Sequence, residues 1–136
     1  MYDHILVPVA VQHEGRGPAM LKAADSLLSE GGKITLFHVT EIIPNFAAPH
    51  IPAELLADEA RSVSATLRDL SEQTKAQVEI KTAIGSPARK IVDAAQELGA
   101  DCIVIASHDP QLADYLLGST AAWVARHAEC SVHIIR

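Results

Sequence analysis

The sequence predicts a single α/β domain built on an open, largely parallel sheet. Five short apolar runs rich in β-branched residues recur along the chain. Most are continuous rather than alternating, the pattern of strands covered on both faces. Helical periodicity fills the gaps between them, giving the order β-α-β-α-β-α-β-α-β. Strict alternation of this kind builds a parallel sheet through right-handed crossovers.

The first run is His4–Val9 (HILVPV). From Pro18 to Glu30, Met20, Ala24, Leu27 and Leu28 make one helical stripe, which Gly31-Gly32 ends. The second strand is Lys33–Val39 (KITLFHV). A helix from Pro52 to Lys75 carries Leu56, Ala60, Val63, Leu67 and Leu70, spaced 4, 3, 4, 3 as one helix face requires. Gln77–Ala83 (QVEIKTA) alternates more than the other runs and reads as an edge strand. Ser86 then offers an N-cap and Pro87 a first helical position, Ile91, Ala95 and Leu98 follow, and Gly99 closes the helix. Asp101–Ala106 (DCIVIA) is the fourth strand. Gly118–Ala128, with Ala121, Val124 and Ala128, is the fourth helix, and Ser131–Ile135 (SVHII) the last strand.

Composition narrows the function classes. A chain of 136 residues fits one domain, and 49% apolar residues exclude a disordered one. Aromatics at 4% are too few for a base-stacking surface. A net charge of −6, from 17 acidic and 11 basic residues, repels nucleic acid and anionic membranes. Cys102 and Cys130 are too few and too far apart for a disulfide framework or a CxxC site. Cys102 reads as a buried small hydrophobe. The opening MYDHILVPVA carries no basic n-region and its apolar run is too short to cross a bilayer, so the cytoplasm is the expected compartment.

In an open α/β sheet ligands bind beyond the carboxyl ends of the strands, where the connections diverge. The stretches that reach this region are 8–17, 39–51, 83–87 and 107–120. In the last of these, Gly118-Ser119-Thr120 opens a helix, where backbone N–H groups and the helix dipole favour an anion. Two readings stand side by side: a phosphate or carboxylate site, or an ordinary helix start with a Ser/Thr cap. His108, just past the fourth strand, is either within reach of a ligand or a loop histidine bonded to backbone. His38 reads as a satisfied core histidine, and His127 suits the end of its helix. His133 faces water or a partner. The long segment Thr40–Ile51, with Ile42, Ile43 and Phe46, closes over a ligand, packs on a second subunit, or packs on its own second helix. Gly15 and Gly17 read as a turn, since GxGxxG and GxxxxGK[ST] are both absent. So are HxxxH and Gly-x-Ser-x-Gly.

Several motifs resemble those of the universal stress proteins, over the whole chain and in order. They are the HILVPV and KITLFHV strands, the Gly85-Ser86-Pro87 turn and the C-terminal third. The last reads Ile105-Ala106-Ser107-His108-Asp109-Pro110, then Tyr115-Leu116-Leu117-Gly118-Ser119, then Arg126-His127-Ala128-Glu129-Cys130-Ser131-Val132, and is most similar to the small F/G-type bacterial branch. The resemblance implies a doubly wound five-stranded sheet of order 3-2-1-4-5. It also implies homodimers or tetramers paired through the strand 131–135, in the cytoplasm. Many members bind ATP between the first and fourth strands.

The nucleotide-binding members share G-x-x-G, nine residues, then G-[ST]. Gly118-Ser119 matches the final pair. The two earlier glycines fall on Ala106 and Asp109, and the spacer is eight residues. The family's acid after the first strand is Ala10 here. By this resemblance Pro8 and Val39 frame a base, Val9 and Ala10 follow the first strand at the site without the acid's contact to the nucleoside, Ser107 and His108 lie beside the site, and Gly118, Ser119 and Thr120 cradle phosphate. ATP or AMP is the expected ligand, with Mg²⁺ entering only with the nucleotide and with weakened affinity. The alternative is a nucleotide-free dimeric interaction module that reads an unidentified partner protein. No P-loop parts are present and His108 is the sole candidate base, so at most a weak ATPase is expected.

Overall fold

The computed structural model describes residues 1–10, 16–41, 52–107 and 117–136. Nine elements alternate: β1 (Tyr2–Pro8), α1 (Arg16–Leu27), β2 (Leu28–Thr40), α2 (Ala53–Ser71), β3 (Gln77–Ile84), α3 (Pro87–Leu98), β4 (Cys102–Ala106), α4 (Ser119–His127) and β5 (Ser131–Ile135). The sheet order is β3-β2-β1-β4-β5 and every neighbouring pair is parallel. This is the doubly wound fold and strand order expected above.

Alternation along the strands divides the core into two layers. Ile5 and Val7 of β1, Ile34 and Leu36 of β2 and Cys102 and Val104 of β4 face α1 and α2. Leu6, Phe37, Ile103 and Ile105 face α3 and α4. Both faces of β1 and β4 are therefore buried, which is why their sequences are apolar without interruption. β3 lies at one edge and β5 at the other. Ile80 and Ile84 of β3 are exposed, as is His133 of β5.

Two elements depart from the sequence reading. The stripe through Leu28 suggests a helix running to Gly31-Gly32, but α1 ends at Leu27 and Leu28 pairs with Tyr2. The register shifts before His4 meets Lys33. Both glycines sit within this irregular start of β2. Gly31 has φ 79°, and a Cβ on Gly32 would fall 3.0 Å from the Asp3 carbonyl oxygen. The pair thus serves a close strand approach rather than a helix end. In α2 only Val63, Leu67 and Leu70 of the predicted stripe are buried, while Leu56 is 46% exposed.

At α3 the local signals act as read. Ser86 is the N-cap, Pro87 takes the first position and Gly99 ends the helix at φ 70°, although the Ser86 side chain makes no capping bond. Asp101 then ties β4 to β1. Its carboxylate accepts hydrogen bonds from the Asp3 N–H at 2.9 Å and the His4 N–H at 3.0 Å, while its own N–H donates to the His4 carbonyl at 2.9 Å. Burial works against the charged carboxylate, and the backbone N–H groups of Asp3, His4 and Asp101 outweigh it, so its pKa lies below the usual range. The His4 ring, bonded through Nε2 to Thr35 Oγ1 at 2.7 Å, has its pKa lowered by burial and by the Lys33 cation.

Both shifts make the fold acid-sensitive. The unfolded chain binds protons that the folded one refuses, first at His4 below about pH 6.5, then at Asp101 below about pH 4. Stability is full above these values and falls as pH drops through each window. Asp101→Asn is expected to cost about 1–2 kcal/mol at neutral pH, because one charge-assisted acceptor is lost. It is also expected to flatten the decline below pH ~4 in urea melts run across pH. An unchanged acid limb would assign the sensitivity to other groups.

Cys102 is fully buried. Burial, with the Cys130 thiol and the Asp101 carboxylate nearby, pushes its pKa up to about 11. It is a packing residue and an unreactive thiol at neutral pH.

Candidate functional site

The carboxyl ends of β1, β2 and β4 open into one cleft of about 650 Å³. From β1 onward the chain leaves to α1 on one face of the sheet, and from β4 to α4 on the other. The cleft therefore sits at the point where the winding reverses. Pro8, Val9 and Ala10 line it from the end of β1, Val39 and Thr40 from β2, and Ala106 and Ser107 from β4. Gly118, Ser119 and Thr120 line it from the start of α4.

Backbone bonds hold these ends together. The Val9 N–H donates to the Phe37 carbonyl at 2.8 Å. Nδ1 of His38, a buried side chain that also lines the cleft, donates to the Val9 carbonyl at 2.9 Å. A carbonyl only accepts, so this contact places the proton on Nδ1. His38 is thus the satisfied histidine anticipated above. At the other end, the Ser107 N–H donates to the Ile135 carbonyl at 2.7 Å, and the Ser107 carbonyl accepts from the Gly118 N–H at 2.5 Å. These two bonds tie the end of β4 to β5 and to the first residue before α4.

The N-cap of α4 is Gly118, with φ −60° and ψ 153°, a residue with no side chain to cap the helix. Ser119 is the first helical residue rather than a cap. The N–H groups of the first turn have no partner inside the helix. They and the two hydroxyls stand at the cleft, a setting suited to an anionic group.

Eight predicted residues thus meet in one cavity: Pro8, Val9, Ala10, Val39, Ser107, Gly118, Ser119 and Thr120. His108 lies outside the described residues, as do Asp109, Ile42, Ile43, Phe46 and His50. The cleft also has walls that sequence reasoning did not assign. Met20 and Phe37 floor it, Pro87 and Leu56 flank it, and Arg16, Glu41 and Glu59 supply charge. Arg16 sits in a Gly-Arg-Gly-Pro stretch that reads as a turn, which hid it. Glu59 is three residues beyond Leu56 and shares its helix face, the one signal that links it to the cleft.

The model of the Universal stress protein family matches residues 1–136. The chain belongs to the universal stress protein family. A curated relative, Universal stress protein G of Shigella flexneri, is 29% identical over 142 residues, covering 100% of both chains. The solved universal stress protein UspA from Lactobacillus plantarum is 26% identical with TM-score 0.77, covering 99% of this chain and 98% of that one. A universal stress protein in complex with cAMP gives TM-score 0.73 at 23% identity, covering 99% and 97% of the two chains. Another, from Archaeoglobus fulgidus in complex with dAMP, gives 0.67 at 21% identity, covering 99% and 98%.

Among the described residues no helix is long and apolar enough to cross a membrane. Among the same residues no group of three or more His, Cys, Asp or Glu side chains is placed to hold a metal ion.

Proposed function

We propose that this universal stress protein binds an adenine nucleotide, ATP or AMP, in the cleft between β1 and β4, and that it acts in the cytoplasm as a binder rather than an enzyme. The observation that carries the reading is the cleft itself, where Pro8, Val9 and Val39 face Gly118, Ser119 and Thr120 across one cavity. The apolar group, on β1 and β2, suits a base; the second, at an uncapped helix start, suits phosphate. Two proteins of this fold, solved with cAMP and dAMP, support the assignment. Ala10 at the cleft wall and Asp109 in place of a family glycine weaken the affinity, and Mg²⁺ accompanies only the nucleotide.

Denaturing the freshly purified protein and assaying the supernatant for adenine nucleotides is the first test. Release near one per chain is expected. Added ATP, ADP or AMP at 100-fold excess over Kd should stabilise the fold by about 2.7 kcal/mol, a rise of roughly 10 °C in melting temperature. No release and no shift, with or without Mg²⁺, would favour the second reading, a nucleotide-free interaction module for a partner protein. Ala10, lacking the acid found in nucleotide-binding members, is the observation behind that alternative.

The partner closest to hand is a second copy of the chain. Among the described residues β5 pairs with β4 alone, and no described strand pairs with its outer edge. An open edge with half-buried Val132 and Ile134 calls for cover. A homodimer through Ser131–Ile135, or a tetramer built from such dimers, supplies it. Light scattering should give twice or four times the mass of one chain. A monomer at all concentrations would count against the pairing.

A further inference from the structure

Charge is unevenly distributed around the cleft. Its described lining holds one permanent cation, Arg16, and two carboxylates, Glu41 and Glu59. Arg16 begins α1, which packs on β1 and β4. Glu41 follows the end of β2, and Glu59 belongs to α2. Arg16 and Glu59 thus come from the two helices on one face of the sheet, and Glu41 from the end of β2. Among the described residues none of the three forms an ion pair. A cation in the first turn of a helix opposes its dipole, and the first turn of α1 carries no acid.

We propose that Arg16 is the specificity-determining cation of the cleft, and that it selects an adenine nucleotide carrying one phosphate group over the triphosphate. This rests on the nucleotide-binding reading above. A guanidinium meets a single phosphate with two parallel hydrogen bonds, and one cation offsets much of the charge of a monophosphate. A triphosphate brings two further negative charges into a cleft whose other charged walls, among the described residues, are carboxylates, with no second lysine or arginine in that lining to receive them. Glu41 and Glu59, as acceptors, suit the ribose hydroxyls and the adenine amino group, which donate hydrogen bonds.

The test is titration calorimetry of the full chain with adenosine, AMP and ATP, without Mg²⁺, on the wild type, Arg16→Ala and Arg16→Lys. The wild type is expected to bind AMP at least about fivefold more tightly than ATP. Arg16→Ala should weaken AMP about tenfold and leave adenosine within about twofold. Arg16→Lys should recover part of the loss, as a point charge without the planar fork. The double variant Glu41→Gln, Glu59→Gln should narrow the gap between ATP and AMP. ATP binding as tightly as AMP would overturn the inference alone, as would an Arg16→Ala variant that weakens adenosine and AMP equally or neither. Absence of binding by all three ligands would overturn the nucleotide reading itself.

Discussion

Ser119→Glu is expected to stabilise the free protein slightly and to abolish nucleotide binding. Ser119 is the first residue of α4, exposed, and part of the cleft wall. A carboxylate there interacts favourably with the helix dipole, worth about 0.3–1 kcal/mol. The same carboxylate occupies the unpaired N–H groups that a phosphate needs and repels its charge. AMP affinity should fall at least about a hundredfold, while the free melting temperature holds or rises. The opposite signs separate a lost site from a damaged fold. Melting curves with and without AMP decide it: a wild-type ligand shift in this variant would place the phosphate away from α4. Ser119→Ala, which removes only a hydroxyl, should cost about threefold.

Leu67→Ala and Leu56→Ala should differ by several kcal/mol, although both leucines belong to one helical stripe. Leu67 is fully buried against the face of the sheet that holds Ile34 and Leu36. Its truncation removes the transfer free energy and leaves a cavity, for about 3 kcal/mol. In a chain of this length that is a drop of roughly 10 °C in melting temperature. Leu56 is 46% exposed and borders the cleft, so its truncation should cost less than about 0.5 kcal/mol. Urea melts of the two variants provide the comparison. Equal losses would mean that the first turns of α2 are covered in solution, by a second chain or by the chain itself.

Much of the candidate site was readable because its parts are short and local. Gly118-Ser119-Thr120 announces a helix start, and Pro8-Val9 ends an apolar run. Both signals depend on neighbours in sequence, and both residue groups reach the same cavity. Arg16 and Glu59 were not readable as site residues. Arg16 looks like part of a turn, and Glu59, although it adjoins Leu56 along the helix, like any exposed charge. Only the placement of α1 and α2 around the strand ends makes them neighbours of Ala106 and Ser107.

The sequence alone determined the number, type and order of the elements, because hydrophobic period, proline, glycine and capping signals act over a few residues. It also determined that β1 and β4 are buried on both faces, since their continuous apolar runs admit no solvated side. Tertiary packing decided the rest. The extended start of β2 depends on Tyr2 pairing with Leu28 across 26 residues, against the helical period that runs through Leu28. The division of the α2 stripe into buried Val63, Leu67 and Leu70 and exposed Leu56 and Ala60 depends on where the sheet ends. The charge pattern of the cleft depends on three elements meeting at one point. These are long-range juxtapositions, set by the strand order of the sheet, and no local pattern carries them.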